Sequence, residues 1–228
     1  MIGIIGAMQA EVESLQQQLK NTKITTLSGI DFYQGQLEGK EVVIARCGIG
    51  KVFAAICAQT MILTFHPDCI INTGVAGGLT TDLAVGDVAI ATTLVQHDMD
   101  TSPLGDPVGL ISGINVVHFP ADETLQEKMQ RAAETLGCHV VKGTIVSGDQ
   151  FVSTPAKKAQ LQKDFNAVAC EMEGASIAHV CYVNGVPFEV LRVISDSATG
   201  DGAMEYTQFV TMAAELSEDI IKGFCKEM

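Results

Sequence analysis

The sequence predicts an α/β fold in which a parallel or mixed sheet is covered by helices on both sides. Short apolar runs alternate along the chain with longer segments of helical periodicity, and no linker interrupts them. Hydrophobic residues make up 47% of the chain, aromatic residues make up 5% and tryptophan is absent, which is typical of a sheet core of branched aliphatic residues. The length of 228 residues favours one large domain, residues 1–228, over two small ones.

Apolar runs bounded by glycine or polar residues predict the strands. In chain order they are Ile2–Gly6, Phe32–Leu37, Glu41–Arg46, Cys69–Gly74, Val88–Thr93, Lys142–Ser147, Ala167–Glu171 and Glu189–Ser195. Gly39, which follows the second of these runs, predicts a hairpin turn into the third.

Helical spacing of apolar residues predicts the helices. They are Gln9–Lys20, Gly50–Thr64, Asp122–Leu136, Thr154–Lys163, Glu173–Asn184 and Tyr206–Lys226. Asp122 is the predicted N-cap of the third helix. In the last helix, the apolar residues at helical spacing predict a core face: Phe209, Met212, Ala213, Leu216, Ile220 and Phe224. The segment His97–Phe119 is rich in glycine and proline and long for a loop, which predicts a functional or interface segment.

The acidic charge balance narrows the possible partners. With 14 Lys+Arg against 27 Asp+Glu the net charge is −13, so neither nucleic acid nor an anionic membrane is a predicted partner. No apolar stretch is long enough to span a bilayer, and the N-terminal apolar run is too short for a secretory signal. The chain is therefore expected in the cytoplasm.

The cysteines and histidines predict no metal site and no cofactor. The seven cysteines are odd in number, have no CxxC spacing and lie mostly in apolar segments, which indicates buried thiols in a reducing compartment. The five histidines have no ligand spacing with one another or with cysteine. The first glycine turn, in MIGIIGAMQAEVE, has Gly-x-x-Gly spacing rather than Gly-x-Gly-x-x-Gly, which argues against a dinucleotide site.

Glycine turns follow several of the predicted strands. Besides the first one, they are RCGIGK at 46–51, NTGVAGG at 72–78 and SGDQF at 147–151. Each allows backbone N–H groups to approach a ligand closely, although a single turn of this kind is weak support. Together they predict one site ringed by backbone donors.

Carboxylates at the ends of predicted strands indicate the chemistry of that site. Glu171 and Glu173 lie at a strand-to-helix junction, and Asp196 ends another apolar run. Ligand sites of open α/β sheets form at the carboxyl ends of the strands. A glutamate facing sugar hydroxyls and an aspartate facing a leaving base would suit cleavage of an N-glycosidic bond. Taken singly, Glu171 could be a buried paired carboxylate, and Glu173 could be stabilised by its helix N-terminus alone.

Motifs along nearly the whole chain resemble the bacterial 5′-methylthioadenosine/S-adenosylhomocysteine nucleosidases of the nucleoside phosphorylase superfamily. In family order they are GIIGAM…E at 3–11, GIGK at 48–51, NTGxAGG at 72–78, VGD at 85–87, HD at 97–98, SGDxF at 147–151, EMEGASIAHV at 171–180 and RxISD at 192–196. The resemblance implies a mixed, partly closed sheet wrapped by helices, and a homodimer. It implies hydrolysis of 5′-methylthioadenosine and S-adenosylhomocysteine, releasing adenine and a thioribose product.

The resemblance also implies a role for each matching position. Asp196 resembles the acid that protonates adenine N7, and Glu11 the base that activates water. Phe151 would stack on adenine with Val152 backbone groups at its edge, while Glu173 would hold the ribose hydroxyls and Arg192 would help to place the water. The remaining implied binding residues are Met172 at the sugar, Ser195 beside Asp196, Met8, Ile49 and Tyr206 around the 5′ substituent, and Ala76, Gly77 and Glu171.

Two departures and three alternatives stay open at the level of sequence. Val75 stands where relatives often have a small polar residue, and the loop Met99–Gly113, implied to approach the partner's 5′ pocket, lacks the aromatic residues of some relatives. The alternatives are a purine nucleoside phosphorylase, a non-catalytic nucleoside-binding protein and a hydrolase of another 6-aminopurine nucleoside such as 6-amino-6-deoxyfutalosine. A chain with three arginines is poorly supplied for a phosphate site, which favours water as the nucleophile.

Overall fold

The computed structural model describes residues 1–200 and 202–228. Within these residues the strands are β1 Ile2–Gly6, β2 Lys20–Leu27, β3 Ile30–Leu37, β4 Lys40–Arg46, β5 Cys69–Asn72, β6 Val75–Gly78, β7 Val88–Gln96, β8 Phe119–Pro120, β9 Val140–Ser147, β10 Ala167–Glu171 and β11 Phe188–Asp196. The helices are α1 Glu13–Gln17, α2 Lys51–Phe65, α3 Glu123–Thr135, α4 Pro155–Phe165, α5 Gly174–Asn184 and α6 Gly202–Glu227. Two 3-10 turns lie at Gln9–Glu11 and Ser102–Leu104.

The strands form one mixed sheet that closes on itself at one end. The strand order is β2-β3-β4-β1-β5-β11-β6-β10-β9-β7-β8, and β11 also pairs with β7. The strands β11, β6, β10, β9 and β7 therefore form a closed ring. The strands β2, β3, β4, β1 and β5 form an open extension of the sheet beside β11. This confirms the implied mixed, partly closed sheet.

The core lies on both faces of the sheet. One apolar cluster packs beneath α2 and α5 and includes Phe32, Met61 and Ile177, and a second packs beneath α3 and α6 and includes Met129, Ile220 and Phe224. Every residue of β11 is buried, because this strand lies in the middle of the sheet between helices. The predicted burial of the thiols is confirmed for six of the seven cysteines, and all seven are free.

The predicted strands are all present, with small shifts at their ends. The hairpin turn between β3 and β4 is confirmed, with Leu37 opposite Lys40 and positive φ at Glu38 and Gly39. Asp122 caps α3 as predicted, accepting a hydrogen bond from the Leu125 N–H at 3.0 Å. In the described part of the chain, no helix combines the length and apolar character needed to cross a membrane.

Three strands were not predicted. The run Lys20–Leu27 is polar and mostly exposed because β2 is the edge of the sheet, so it has no buried face to recognise. The run Val75–Gly78 reads as a glycine turn, but it becomes a strand because β10 and β11 pair with it on both sides. The two-residue β8 is too short to leave a periodic signal.

The predicted first helix and the predicted core face of the last helix need correction. The segment Gln9–Lys20 is a 3-10 turn followed by the short α1, and the chain then enters β2. In α6 the residues Ala213, Ile220 and Phe224 are fully buried, whereas Met212 is 41% exposed. The helix extends past the edge of the core at its N-terminal half, so the apolar stripe there has less to pack against.

Candidate active site

A cavity of about 400 Å³ lies at the carboxyl ends of the central strands. It has mainly apolar walls with a few convergent polar groups, the usual make-up of a small-molecule site. Its walls are formed by Ala7, Met8, Glu11, Ile49, Val75, Ala76, Gly77, Gln150, Phe151, Val152, Cys170, Glu171, Met172, Glu173, Ser195, Asp196 and Tyr206. Every residue predicted for the site is among them except Arg192.

Glu11 is held at one wall by backbone donors. The 3-10 turn after β1 directs its carboxylate inward, where Oε2 accepts hydrogen bonds from the N–H groups of Ala7 (2.7 Å) and Met8 (2.9 Å). Its Oε1 accepts from the Val75 N–H at 3.1 Å. A Cβ at Gly74 would lie 2.4 Å from Oε1, so only glycine leaves room for the carboxylate. Burial raises the pKa of Glu11 in spite of these hydrogen bonds.

Glu171 is a fully satisfied buried carboxylate at the end of β10. It accepts hydrogen bonds from Ser147 Oγ and from the N–H groups of Glu173 (2.9 Å) and Gly174 (2.8 Å). Its Oε2 pairs with Arg192 Nη2 at 2.5 Å. Burial acts to raise the pKa of Glu171, but the guanidinium of Arg192 and these hydrogen bonds lower it below its ordinary value.

Arg192 lies behind the cavity rather than on its wall. Besides Glu171 it donates to the backbone carbonyls of Leu191 (2.8 Å) and Asn72 (3.3 Å) and to the Asn72 side chain. It is 1% exposed. The structure therefore places it where it fixes Glu171 and the start of the NTG turn, a position from which it reaches the cavity only through other groups.

Glu173 differs from Glu171 in having little support. Among the described residues its carboxylate accepts one hydrogen bond, from the Gly50 N–H at 2.7 Å. Burial and the neighbouring Glu171 carboxylate raise the pKa of Glu173 to about 8. Its lightly bonded carboxyl group is free to bond a ligand that enters the cavity.

The glycine turns therefore act differently from the sequence prediction. The Gly50 N–H serves Glu173 and the Val75 N–H serves Glu11, so these donors hold the site's own carboxylates. The sequence shows that N–H groups are available there, but only the packing of the strands shows which acceptors they reach.

Asp196 ends β11 and faces a lysine that the sequence did not reveal. Its Oδ1 lies 2.9 Å from Ser195 Oγ, and its Oδ2 lies 2.5 Å from Nζ of Lys158. Lys158, on α4, has no exposed surface and also donates to the carbonyl of Ser197. A Cβ at Gly77 would lie 2.9 Å from Asp196 Oδ2, so the bare backbone of β6 leaves space for this carboxylate. No motif distinguishes Lys158 from the exposed Lys157 beside it.

Part of the cavity wall is apolar and open. Phe151 meets Tyr206 edge-on with ring centroids 5.2 Å apart, and the Tyr206 hydroxyl lies 3.2 Å from the Met8 sulfur. Ile49 and Phe151 are 56% and 52% exposed at the mouth. This part of the wall can accept an apolar group and a planar ring in the same cavity as the three acids.

The fold and the acid-lined cavity define a member of the phosphorylase superfamily, whose sequence profile matches residues 1–226. The chain is 39% identical over 229 residues to the 5′-methylthioadenosine/S-adenosylhomocysteine nucleosidase of Shewanella halifaxensis, covering 100% of this chain and 99% of that protein. The crystal structure of the nucleosidase of the same name from Neisseria meningitidis, in complex with methylthio-immucillin-A, is 38% identical, with a TM-score of 0.95 and coverage of 100% and 99%. The futalosine hydrolase of Helicobacter pylori is 36% identical with a TM-score of 0.94, covering 100% and 97%.

The chain belongs to the 5′-methylthioadenosine/S-adenosylhomocysteine nucleosidase family. The implied family assignment is thereby confirmed.

Proposed function

We propose that this protein hydrolyses the N-glycosidic bond of 5′-methylthioadenosine and S-adenosylhomocysteine, releasing adenine and the 5-thioribose product. The observation that carries the proposal is the convergence of Glu11, Glu173 and Asp196 on one cavity that Phe151 and Tyr206 also line. A binding protein needs no such set of acids, whereas glycoside cleavage needs proton donation and water activation.

The reaction follows from the placement of these groups. Adenine is a poor leaving group as an anion, so Asp196 delivers a proton to N7 while the C1′–N9 electron pair moves to the base. Glu173 binds the ribose hydroxyls, and its carboxylate, when ionised, stabilises the positive charge that develops on the sugar. Water then attacks C1′ and loses a proton to Glu11, whose carboxylate is oriented by the backbone of Ala7, Met8 and Val75. Arg192 contributes by fixing Glu171 and the adjoining turn.

The apolar part of the cavity wall would accept the 5′-thio substituent. Met8, Ile49 and Tyr206 would surround that substituent, and Phe151 offers a face for the adenine ring with the Val152 backbone at its edge. Met172 and the strand β6 residues Ala76 and Gly77 would border the sugar and the base.

Water is favoured over phosphate as the nucleophile. Among the described wall residues there is no lysine or arginine that could hold a phosphate ion. Of the three arginines, Arg46 is exposed, Arg131 pairs with Glu227 and Arg192 pairs with Glu171. The carboxylate of Glu11 in the first glycine turn would also repel a phosphate dianion.

A homodimer forms part of the proposal, because the mouth of the cavity adjoins an exposed apolar face. Val52, Ile56 and Leu63 form one stripe along α2 and are 68%, 39% and 62% exposed. Tyr182 and Val183 of α5 extend this surface, and a patch of this kind on a protein surface commonly marks an interface. Leu104, in the loop 99–113, is 83% exposed, and in the proposed dimer it would approach the partner's 5′ pocket. The seven free thiols suit the reducing cytoplasm as the compartment.

Release of adenine from 5′-methylthioadenosine, measured in phosphate-free buffer and again with phosphate, tests the proposal. Release at the same rate in both buffers, with free methylthioribose as the second product, supports the hydrolase. Release only with phosphate would make the protein a phosphorylase. Because one structural neighbour is a futalosine hydrolase, 6-amino-6-deoxyfutalosine is assayed in parallel, and a higher kcat/KM for it would reassign the substrate.

A further inference from the structure

Lys158 is a buried cation for which packing provides no reason. Burying an ammonium group costs several kcal/mol unless it is well paired, and an apolar residue would fill this position of α4 at lower cost. The neighbouring lysines of α4, Lys157 and Lys163, are exposed. The Lys158 side chain is 0% exposed and reaches Asp196 Oδ2 at 2.5 Å and the Ser197 carbonyl.

The contacts of Asp196 bear on where the proton for adenine N7 comes from. Asp196 Oδ2 accepts from the ammonium of Lys158 and Oδ1 lies beside the Ser195 hydroxyl, so the geometry is that of a charged carboxylate. A charged carboxylate holds no proton for adenine N7. The Asp196 side chain is 3% exposed, and a bound nucleoside would fill the cavity that connects this side chain to solvent. The nearest proton is then on Nζ of Lys158.

We infer that Lys158 and Asp196 form one proton-donating pair, an inference that rests on the proposed function. One proton moves from Nζ of Lys158 to Oδ2 of Asp196, and one moves from the carboxyl group to adenine N7 as the C1′–N9 bond breaks. This leaves a neutral amine, a carboxylate and neutral adenine protonated at N7. Water gives its hydroxyl to C1′ and its proton to Glu11. After the products leave, Glu11 releases its proton to solvent and Lys158 regains one.

Lys158 touches no substrate atom in this scheme, so it is a positioning residue that acts through Asp196. The ammonium group of Lys158 also donates to the Ser197 carbonyl, so its position is fixed. It therefore fixes the rotation of the Asp196 carboxylate. Other titratable groups near the pair come from β10, from α6 and from across the cavity: Cys170, Tyr206, Glu205, Glu11 and Glu173. Burial raises the pKa of Cys170 to about 12 and raises that of Tyr206, so neither can supply the neutral-pH behaviour of the pair.

The pH dependence of kcat/KM for 5′-methylthioadenosine tests the inference in wild type, Lys158→Met and the matched control Lys157→Met. In wild type the proton for adenine N7 is on Nζ of Lys158, whereas in Lys158→Met the Asp196 carboxylate must take it up from solvent, which low pH favours. We expect Lys158→Met to lose roughly 10²-fold relative to wild type at neutral pH, with a loss that shrinks as the pH falls and a basic limb at lower pH. A loss that is the same at every pH, or a limb displaced to higher pH, would overturn the inference. Lys157→Met should match wild type.

A substrate whose leaving group needs no proton separates proton supply from structural support. For the 4-nitrophenyl glycoside of 5-methylthioribose, we expect Lys158→Met and wild type to release nitrophenolate at similar rates. An equal loss on both substrates would show that Lys158 only holds the site together.

A neutral double variant covers the case in which Lys158→Met does not fold. Lys158→Met combined with Asp196→Asn leaves no unpaired buried charge, and residues acting as a unit give non-additive losses. We expect the double variant to turn over the nucleoside as slowly as Asp196→Asn alone, and a further large loss would contradict the pairing. Failure of wild type to cleave 5′-methylthioadenosine would instead reject the proposed function, so the two failures are distinguishable.

Discussion

At the scale of single residues, the buried carboxylates differ in how many donors each one has. Glu171 is bonded by a guanidinium, a hydroxyl and backbone N–H groups, and its pKa is lowered on balance. Glu11 has three backbone donors but no ion-pair partner among the described residues, and burial raises its pKa. Glu173 has one donor, and its pKa is raised to about 8. The three glutamates lie at one site, but their neighbours shift their pKa values in different directions or by different amounts.

Glu11→Gln should abolish most turnover because the amide cannot take a proton from water. We expect kcat to fall by about 10²–10⁴-fold, with a stability cost of about 1–3 kcal/mol because the amide N–H₂ meets a backbone donor. In wild type, kcat/KM should decline as the pH falls through the raised pKa of Glu11, and the variant should lack this limb. Steady-state kinetics and urea unfolding measure the two effects. The exposed Glu13→Gln is the control, and unchanged turnover in Glu11→Gln would remove Glu11 from the mechanism.

Glu189 is a buried carboxyl group that the reaction does not use. Its Oε1 accepts from the Val190 N–H at 2.8 Å, while its buried Oε2 has no partner within the described structure. Burial raises the pKa of Glu189 well above the ordinary value of 4.5; Asp122 raises it further and Lys142 lowers it. At pH values above 4.5 the folded protein therefore binds the Glu189 proton more tightly than the unfolded chain does.

This linkage predicts that Glu189→Gln is more stable than wild type at high pH. The contribution of the protonated group is fully present below about pH 4.5, the unfolded value, and is lost as the pH rises toward the raised folded pKa. We expect equal free energies of unfolding near pH 4.5 and an advantage of about 1–3 kcal/mol for the variant near pH 8. Urea unfolding at both pH values measures this, with the exposed Glu215→Gln as control. An advantage that does not grow with pH would mean that Glu189 is already charged in the fold.

At the scale of elements, helix ends and strand ends position the functional groups. Asp122 caps α3 at a point where its own N–H bonds the Phe188 carbonyl at the start of β11, so the cap also anchors the strand that ends in Asp196. Glu173 occupies the position before α5, and the 3-10 turn after β1 carries Glu11.

Asp122→Ala should weaken α3 without altering the cavity. Loss of an N-cap side chain costs about 0.5–2 kcal/mol, and we expect the midpoint of thermal unfolding to fall accordingly while kcat/KM is retained. Glu127→Ala, an exposed change on the same helix, should leave the midpoint nearly unchanged. A variant as stable as wild type would show that the hydrogen bond to the Leu125 N–H contributes nothing.

At the scale of the whole molecule, the closed ring of strands concentrates the site at one end. β11 bonds β5, β6 and β7, so the strand that carries Arg192, Ser195 and Asp196 is held from several directions. The apolar stripe on α2 lies just beyond the glycine turn that borders the cavity, which places the proposed dimer face next to the 5′ pocket.

Phe53→Glu should dissociate the proposed dimer and weaken substrate binding. Phe53 is 55% exposed beside this stripe, and a charge there would be buried in the interface. We expect a monomer mass by analytical ultracentrifugation and a higher KM, because Ile49 and Phe151 would lose their cover. Leu136→Glu, at an apolar residue that is 49% exposed just after α3, should remain a dimer. A monomeric wild type with full activity would reject both the interface and its role.

The sequence by itself determined the α/β class, the order of most elements and the carboxylates of the site. Buried strands and amphipathic helices leave local periodic signals, and a ligand site at strand ends follows from the fold class, so Glu171, Glu173 and Asp196 could be singled out in advance, whereas Glu11 was indicated only by the family resemblance. Residues whose place depends on partners far along the chain leave no such signal. Lys158 meets Asp196 across 38 positions, and Arg192 meets Glu171 across 21. Only the tertiary structure decided that a lysine of α4 lies behind the acid, that Arg192 stands off the cavity and that the glycine stretch of β6 becomes a strand, because packing alone selects among the acceptors and pairings that the residues permit.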